Sequence, residues 1–263
     1  MELGLKGKVI GVTGAASVKG IGFAIAKAAL EEGAQVFICD LNPTALAEAK
    51  EALAPLGGVE AYTVDVSSEE QVNAMFDEVL THYGRLDAFV NNAGIYPQSP
   101  LCEMSVKQWD TVMNVNLRSV FLCGCEAFRR MKKTGGVIVN AASYAAVIGS
   151  AGSGAYAASK SAVYSLTKTM AAEMAPFGIR VNGFIPGVIE TGMTQAVVAE
   201  RHDQMVGQIA LGRLGKPADI ASAVLFLLSD ASSYITGTFI EVSGGKLCVQ
   251  NPDYGYKRWK EEL

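Results

Sequence analysis

Tyr156 and Lys160 stand four residues apart in a stretch, residues 155–175, whose pattern predicts a helix. Side chains at that spacing share one helix face. An isolated tyrosine has a pKa of about 10 and is a poor base at neutral pH. An ammonium beside it favours the phenolate and lowers that value. Such a pair can give and take a proton at an alcohol oxygen. Ser143 ends the predicted strand 137–139 with its extension Asn140-Ala141-Ala142. Its hydroxyl can bond the same oxygen and polarise a carbonyl. The chemistry these three residues suit is interconversion of an alcohol and a ketone, with hydride carried by a nicotinamide. Tyr164 and Lys168 repeat the spacing two turns on. In a parallel sheet the strand C-termini and helix N-termini form the ligand edge. Tyr164 would sit about 12 Å deeper along the helix, and a packing role is expected for it.

A second group of residues suits a nucleotide. Thr13-Gly14-Ala15-Ala16-Ser17-Val18-Lys19-Gly20-Ile21-Gly22 lies between the first predicted strand and the first predicted helix. Glycines there let the backbone approach a pyrophosphate, and the helix N-terminus offers unpaired N–H groups. Gly14, Ser17, Gly20 and Ile21 are the contacts expected from this turn. Asp40 ends the second predicted strand. A carboxylate there accepts hydrogen bonds from the adenosine ribose and repels the 2′-phosphate of NADP, so NAD is the expected cofactor. Lys19 pulls the other way, because a basic residue could meet that phosphate.

These residues need a scaffold, and the chain alternates short apolar runs with helical patterns throughout. Strands are predicted at 9–12, 36–39, 62–64, 88–90, 137–139, 181–184 and 239–242. Helices are predicted at 21–32, after Asn42-Pro43, after a Ser67/Glu70 capping box, from Ser105/Gln108 to about 132, at 155–175 and at 217–228. Repeated strand–helix–strand units imply one doubly wound α/β domain, 1–263, with a parallel sheet and helices on both faces. Residues 187–215 break the alternation and read as a lid over the site, or as an ordinary pair of packing helices.

Composition narrows the partners. Half of the 263 residues are hydrophobic and the formal net charge is −4. A small-molecule substrate fits that balance better than nucleic acid. No apolar run reaches the length of a membrane span, about 18 residues. The N-terminal residues lack a signal peptide's apolar region, which suggests a cytoplasmic protein. The five cysteines show no metal spacing and read mostly as reduced core residues. No metal site is expected.

With these motifs in order, the sequence resembles the short-chain dehydrogenase/reductase family from Lys8 to about Gly245. The matching segments are the glycine turn, Asp65-Val66, Asn91-Asn92-Ala93-Gly94, Asn116, Ser143, Tyr156-Ala157-Ala158-Ser159-Lys160 and Pro186-Gly187-Val188-Ile189-Glu190-Thr191. The resemblance implies a sheet of seven strands and a homotetramer. It implies Tyr156 as acid/base, Lys160 as its partner and ribose ligand, and Ser143 at the substrate oxygen. Asn116 would kink its helix and support a water that links Lys160 to solvent. Asp65 and Val66 would meet the adenine, and Asn92, Ala93 and Gly94 would line the adenosine–ribose path. Pro186, Gly187, Val188 and Thr191 would lie at the nicotinamide.

The sequence departs from the family pattern at three places. Five residues separate Gly14 from Gly20 where three are usual, serine stands at Ser243 where aspartate is common, and a tail, 246–263, extends past the usual stop. The tail's Tyr254, Tyr256 and Trp259 suggest docking, either on its own subunit or at a neighbour's pocket. By fold analogy Tyr96, Tyr144, Ser153, Met193, Val197 and His202 are substrate-pocket candidates. A sugar, polyol or other small hydroxy compound is the substrate expected first. A hydroxysteroid or 3-oxoacyl thioester is the alternative, and a non-catalytic NAD-sensing protein is a further one. Enoyl reductases of this fold usually space tyrosine and lysine more widely. The tetramer expectation also draws on apolar residues of the two long helices, including Val120, Phe121, Val163 and Leu166.

Overall fold

Along each central strand, successive side chains enter opposite helical layers. Ile10, Val12, Val36 and Ile38 join one apolar cluster, while Val9, Phe37 and Cys39 join the other. This is the period-two pattern of a strand buried on both faces. The computed structural model describes residues 3–246, 248 and 251–259. Its strands are β1 (Val9–Thr13), β2 (Gln35–Asp40), β3 (Val59–Thr63), β4 (Ala88–Asn91), β5 (Gly136–Ala141), β6 (Ile179–Pro186) and β7 (Phe239–Val242). They form one sheet of seven strands in the order β3-β2-β1-β4-β5-β6-β7. Every pairing is parallel.

Helices α1 (Ile21–Glu31), α2 (Pro43–Leu53) and α8 (Pro217–Leu228) cover one face through Ile25, Leu46 and Ile220. Helices α3 (Glu69–Tyr83), α5 (Ser119–Met131) and α6 (Gly154–Met174) cover the other through Val72, Leu122 and Met170. The remaining α-helices are α4 (Val106–Met113), α7 (Gln195–Val206) and the short α9 (Tyr254–Arg258). Two helix starts match their sequence signals. Asn42 accepts from the Ala45 N–H with Pro43 at the first position, and Ser105 and Gln108 form a reciprocal capping box. At α3 the cap is Ser68, which accepts from the Gln71 N–H, rather than Ser67. Ser67 instead donates to the Asp65 carboxylate. Strand β3 lies earlier than the run 62–64, because Val36 to Asp40 pair with Val59 to Thr63.

The long helix expected from Ser105 to about 132 contains a π-helical turn, Asn114–Arg118, between α4 and α5. Such a turn inserts one residue and redirects the axis, here at Asn116. Val120 and Val163 are buried within the subunit rather than presented outward, and only Phe121 of the expected apolar set is strongly exposed, at 50%. Cys39 and Cys123 are buried, but Cys102 and Cys248 are exposed.

Residues 187–215 leave the sheet and return to the same place. Ile189 pairs with Gly215, and the Glu190 N–H donates to the Gly215 carbonyl. Within this excursion α7 has no buried residue and is kinked at Arg201. The start of the tail packs on its own subunit. Tyr256 lies so close to Gly212 that a β-carbon there would meet its hydroxyl at 2.8 Å. Gln250 and Lys260 to Leu263 lie outside the described residues.

The ligand edge is set between the parallel strands β1 and β4, where the strand order reverses. Thr13 is buried there, and its Oγ1 accepts from the Asn92 and Ala93 N–H groups, both at 2.9 Å. Asn92 Nδ2 returns hydrogen bonds to the carbonyls of Thr13 and Gly14. Gly14 has φ +66, and a β-carbon there would meet Ala93 Cα at 2.7 Å, so only glycine fits this turn. Thr13→Val keeps the shape but leaves both donors unpaired, and is expected to cost about 2 kcal/mol of stability. A denaturant midpoint that does not move would refute this role.

Candidate active site

The C-terminal edge of the sheet opens into two adjoining cavities that share Ile21, Tyr156, Pro186, Thr191 and Met193. The first runs from the glycine turn to the catalytic helix. Gly14, Ser17, Gly20, Asp40, Asn92, Ala93, Gly94 and Lys160 line it. At one end the Asp40 carboxylate accepts from the Ala16 N–H at 3.1 Å and the Leu41 N–H at 2.8 Å. These bonds fix the carboxylate at the end of β2. Gly20 caps α1 without a side-chain bond, so no side chain covers the first N–H groups of that helix. Open donors at a helix N-terminus suit a phosphate. A β-carbon on Gly94 would lie 3.2 Å from Asn116 Oδ1 and 3.6 Å from Lys160 Nζ. Glycine there keeps the passage open. The cradle is long enough in its lining, from the glycine turn and Asp40 to Lys160, to suit an elongated dinucleotide.

At the other end lie Tyr156 and Lys160. Lys160 is buried, and its Nζ donates to the Ala141 carbonyl at the end of β5, at 2.8 Å. Burial lowers its pKa to about 8. Burial also pushes Tyr156 up to about 12, with Ser143 pulling it down and the nearby phenols of Tyr144 and Tyr96 raising it further. The expected ammonium-driven drop is absent. Lys160 directs its proton to Ala141 and lies 5.8 Å from the Tyr156 ring centroid. Tyr156 is therefore protonated at neutral pH, the state that donates a proton to a carbonyl oxygen. Ser143 Oγ accepts from the Ala145 N–H at 3.2 Å, which fixes its side chain beside the phenol. Tyr164 stacks on Phe239 with ring centroids 4.3 Å apart, the packing role expected for it.

Asn116 is fully buried and is hydrogen-bonded to neither Lys160 nor Tyr156. Its Oδ1 accepts from the Ile95 N–H, and its Nδ2 donates to the Ile95 carbonyl and to Ser159 Oγ. It ties the loop after β4 to α6 and so positions Lys160 one residue on. Asp65 and Val66 follow β3 on the same edge but line neither cavity, and the Asp65 carboxylate is taken by Ser67.

The second cavity lies beyond Tyr156 and is bordered by the excursion 187–215. Tyr96, Ser143, Tyr144, Met193 and Val197 line it as expected, whereas Gly187 and Val188, expected at the nicotinamide, line this cavity and not the first. Two other candidates are displaced. Ser153 is buried behind the wall and bonds Ser150 Oγ at 2.6 Å, leaving Ser150 as the lining residue. His202 points to solvent and pairs with Asp203, because its position on α7 faces away from the cavity. Ile189, Thr194 and Met205 also line it, and no spacing in the sequence marks them.

A family model described as enoyl-(acyl carrier protein) reductase matches residues 14–246. The chain belongs to the short-chain dehydrogenase/reductase family. A 3-oxoacyl-(acyl-carrier-protein) reductase of Thermotoga maritima is 42% identical, over 92% of this chain and 98% of that protein. Among solved structures, a short-chain type dehydrogenase/reductase from Mycobacterium marinum is 36% identical with a TM-score of 0.89, covering 93% of this chain and 97% of that one. A putative gluconate dehydrogenase from Agrobacterium tumefaciens is 33% identical with a TM-score of 0.91, covering 95% of this chain and 100% of that one. Family membership makes the chain an oxidoreductase with a nicotinamide dinucleotide cofactor.

Tyr156→Phe is expected to abolish turnover while NADH binding, followed by fluorescence, persists. Tyr164→Phe should be mild, and a dead Tyr164 variant would reverse the assignment. Lys160 carries its charge only when protonated, and burial brings that loss down to about 8. Carbonyl reduction should therefore hold below pH 8 and decline above it. A profile flat to far higher pH would follow the phenol alone and remove Lys160 from the mechanism.

Proposed function

We propose that this chain reduces the 3-oxo group of an acyl thioester with NADH, or oxidises the matching 3-hydroxyacyl compound. The observation that carries the reading is the contrast within the second cavity. Ser143 and Tyr156 bring their hydroxyls together where one reacting oxygen would sit, while Ile189, Met193, Val197 and Met205 give the same cavity an apolar stretch of lining. An acyl chain gains from burial against such a wall. A sugar or polyol would leave hydroxyls unmatched there. This favours the acyl alternative over the sugar or polyol first expected from the sequence. The name of the Thermotoga relative supports the same direction. Paired hydroxyls at one point suit a C=O bond better than the C=C bond of an enoyl group.

When bound, the nicotinamide supplies or accepts the hydride. In reduction Tyr156 donates its proton to the carbonyl oxygen, which becomes the alcohol. Ser143 holds that oxygen, and Lys160 lends positive charge at the proton-donating end. The loosely held segment 187–215, with α7, acts as the lid that excludes water.

The choice of NAD over NADP rests on Asp40. Its carboxylate lies in the cofactor cavity, whereas Lys19 lines a separate cleft with Glu190 and Thr194. The charge nearest the ribose is therefore negative, which disfavours a 2′-phosphate. The proposed assembly is a homotetramer, supported by the half-exposed Phe121 on α5 and by β7 at the sheet edge.

Asp40→Ala should lower kcat/KM with NADH and narrow the gap to NADPH. A wild-type preference for NADPH would overturn the cofactor assignment and give Lys19 the deciding role. Light scattering at micromolar concentration should show a tetramer, and a monomer would refute the assembly.

A further inference from the structure

Three phenols crowd the floor of the substrate cavity. Tyr96, from the loop after β4, meets the Tyr156 ring edge to face, with centroids 4.7 Å apart. Tyr144 follows Ser143 and is close enough for Tyr96 to raise its pKa and for it to raise that of Tyr156. Proton transfer uses one phenol, and the chemistry above leaves the other two without a task. Both phenols line the cavity beside Tyr156, where a hydroxyl can donate to a ligand oxygen. Tyr96 Oη has a long contact from Gln98 Nε2, at 3.4 Å. Burial and Tyr96 alone shift Tyr144, with no hydrogen bond acting on its hydroxyl.

Behind Tyr144 stands a cation. Lys246 Nζ lies 5.4 Å from the Tyr144 ring centroid and donates to Gln208 Oε1 at 2.6 Å. Lys246 is partly buried and, among the described residues, forms no ion pair. It follows the turn Gly244-Gly245 after β7, whereas Gln208 follows α7. It therefore braces the cavity wall against the end of the lid. A cation held at an aromatic ring is attracted to its electrons.

We propose that Tyr96 and Tyr144 form a second oxygen-binding subsite, braced by Lys246 behind Tyr144. This subsite holds the carbonyl or carboxyl oxygen two carbons from the reacting carbon. All three phenols line one cavity, with Tyr96 and Tyr156 in ring contact, so a single small substrate can meet them together. The substrate class is then 1,3-dioxygenated: a 3-oxoacyl thioester, a 3-oxo ester or a 3-oxo acid. Lys246 is a positioning residue that acts through Tyr144. The inference rests on the acyl reading above and names what that site recognises.

The test compares two ketones with the full chain and NADH. One is the acetoacetyl thioester of N-acetylcysteamine. The other is 2-pentanone, which lacks the second oxygen. The wild type should prefer the thioester. In Tyr144→Phe and in Lys246→Met the ratio of the two kcat/KM values should fall about tenfold, the worth of roughly one net hydrogen bond. The change should appear mainly in KM for the thioester. Lys246→Arg keeps the charge and should keep most of the preference. Equal losses on both ketones, with the ratio unchanged, would reduce Lys246 and Tyr144 to wall supports and overturn the proposal. A wild type that reduces both ketones equally well would also overturn it, while leaving the carbonyl-reductase reading intact. A wild type that binds NADH yet reduces neither ketone would refute the acyl reading and this inference together.

Discussion

The clamp between Thr13 and the Asn92-Ala93 backbone is the constraint on which the rest depends. In a doubly wound sheet a crevice opens where successive connections run to opposite faces. Here that point lies between β1 and β4. The clamp joins these two strands just beyond their last paired residues, Val12 and Val90. It fixes the start of the glycine turn and the start of the loop that carries Gly94 and Tyr96. The first borders the cofactor cradle. The second, tied by Asn116 to α6, borders the catalytic pair. One buried hydroxyl thus sets the relative position of both cavities.

Burial then decides which proton states the site holds. Taken alone, the tyrosine–lysine spacing suggests a phenol activated toward its anion. The structure places both groups away from water, and desolvation disfavours each charged form. Tyr156 moves up and Lys160 moves down. The two shifts bring the site toward a neutral phenol beside a lysine that titrates near neutrality. That arrangement favours giving a proton to a carbonyl over taking one from an alcohol. Spacing alone could not reveal this, because the sign of the effect depends on solvent access.

What was legible in the sequence was local or repeated. Glycines at a strand-to-helix turn, Asn42-Pro43, the Ser105/Gln108 box and the strand periodicity each act within a few residues, so their chemistry survives any tertiary context. That Tyr156 and not Tyr164 faces the cavities was also legible, because depth along a helix follows from rise per residue. What failed was set by competing partners, some adjacent in the chain and some distant. Ser67 lost the α3 cap to Ser68 because the Asp65 carboxylate engages it. Ser153 turned behind the wall because Ser150 meets it there. Val120 and Val163 read as outward apolar surface, yet the packing of the helical layer buries both. Lys246 gave no sequence signal at all, since its neighbours Tyr144 and Gln208 lie 102 and 38 residues away.

The division between rigid floor and loose roof bears on specificity. The reacting groups come from α6 and the end of β5, which are tied by the buried Lys160–Ala141 bond and the Asn140–Thr167 bond. The roof is α7, kinked and without a buried residue. A floor fixed by buried polar bonds discriminates through hydrogen-bond geometry, because a misplaced oxygen leaves buried groups unpaired. A roof held by Val198, Met205 and Val206 against Val188, Ile209 and Leu214 discriminates only weakly among chain lengths, since each methylene adds little. On the proposed acyl reading, the oxygen pattern of the substrate would be read strictly and its apolar portion loosely, a combination suited to a series of acyl compounds that share one functional end.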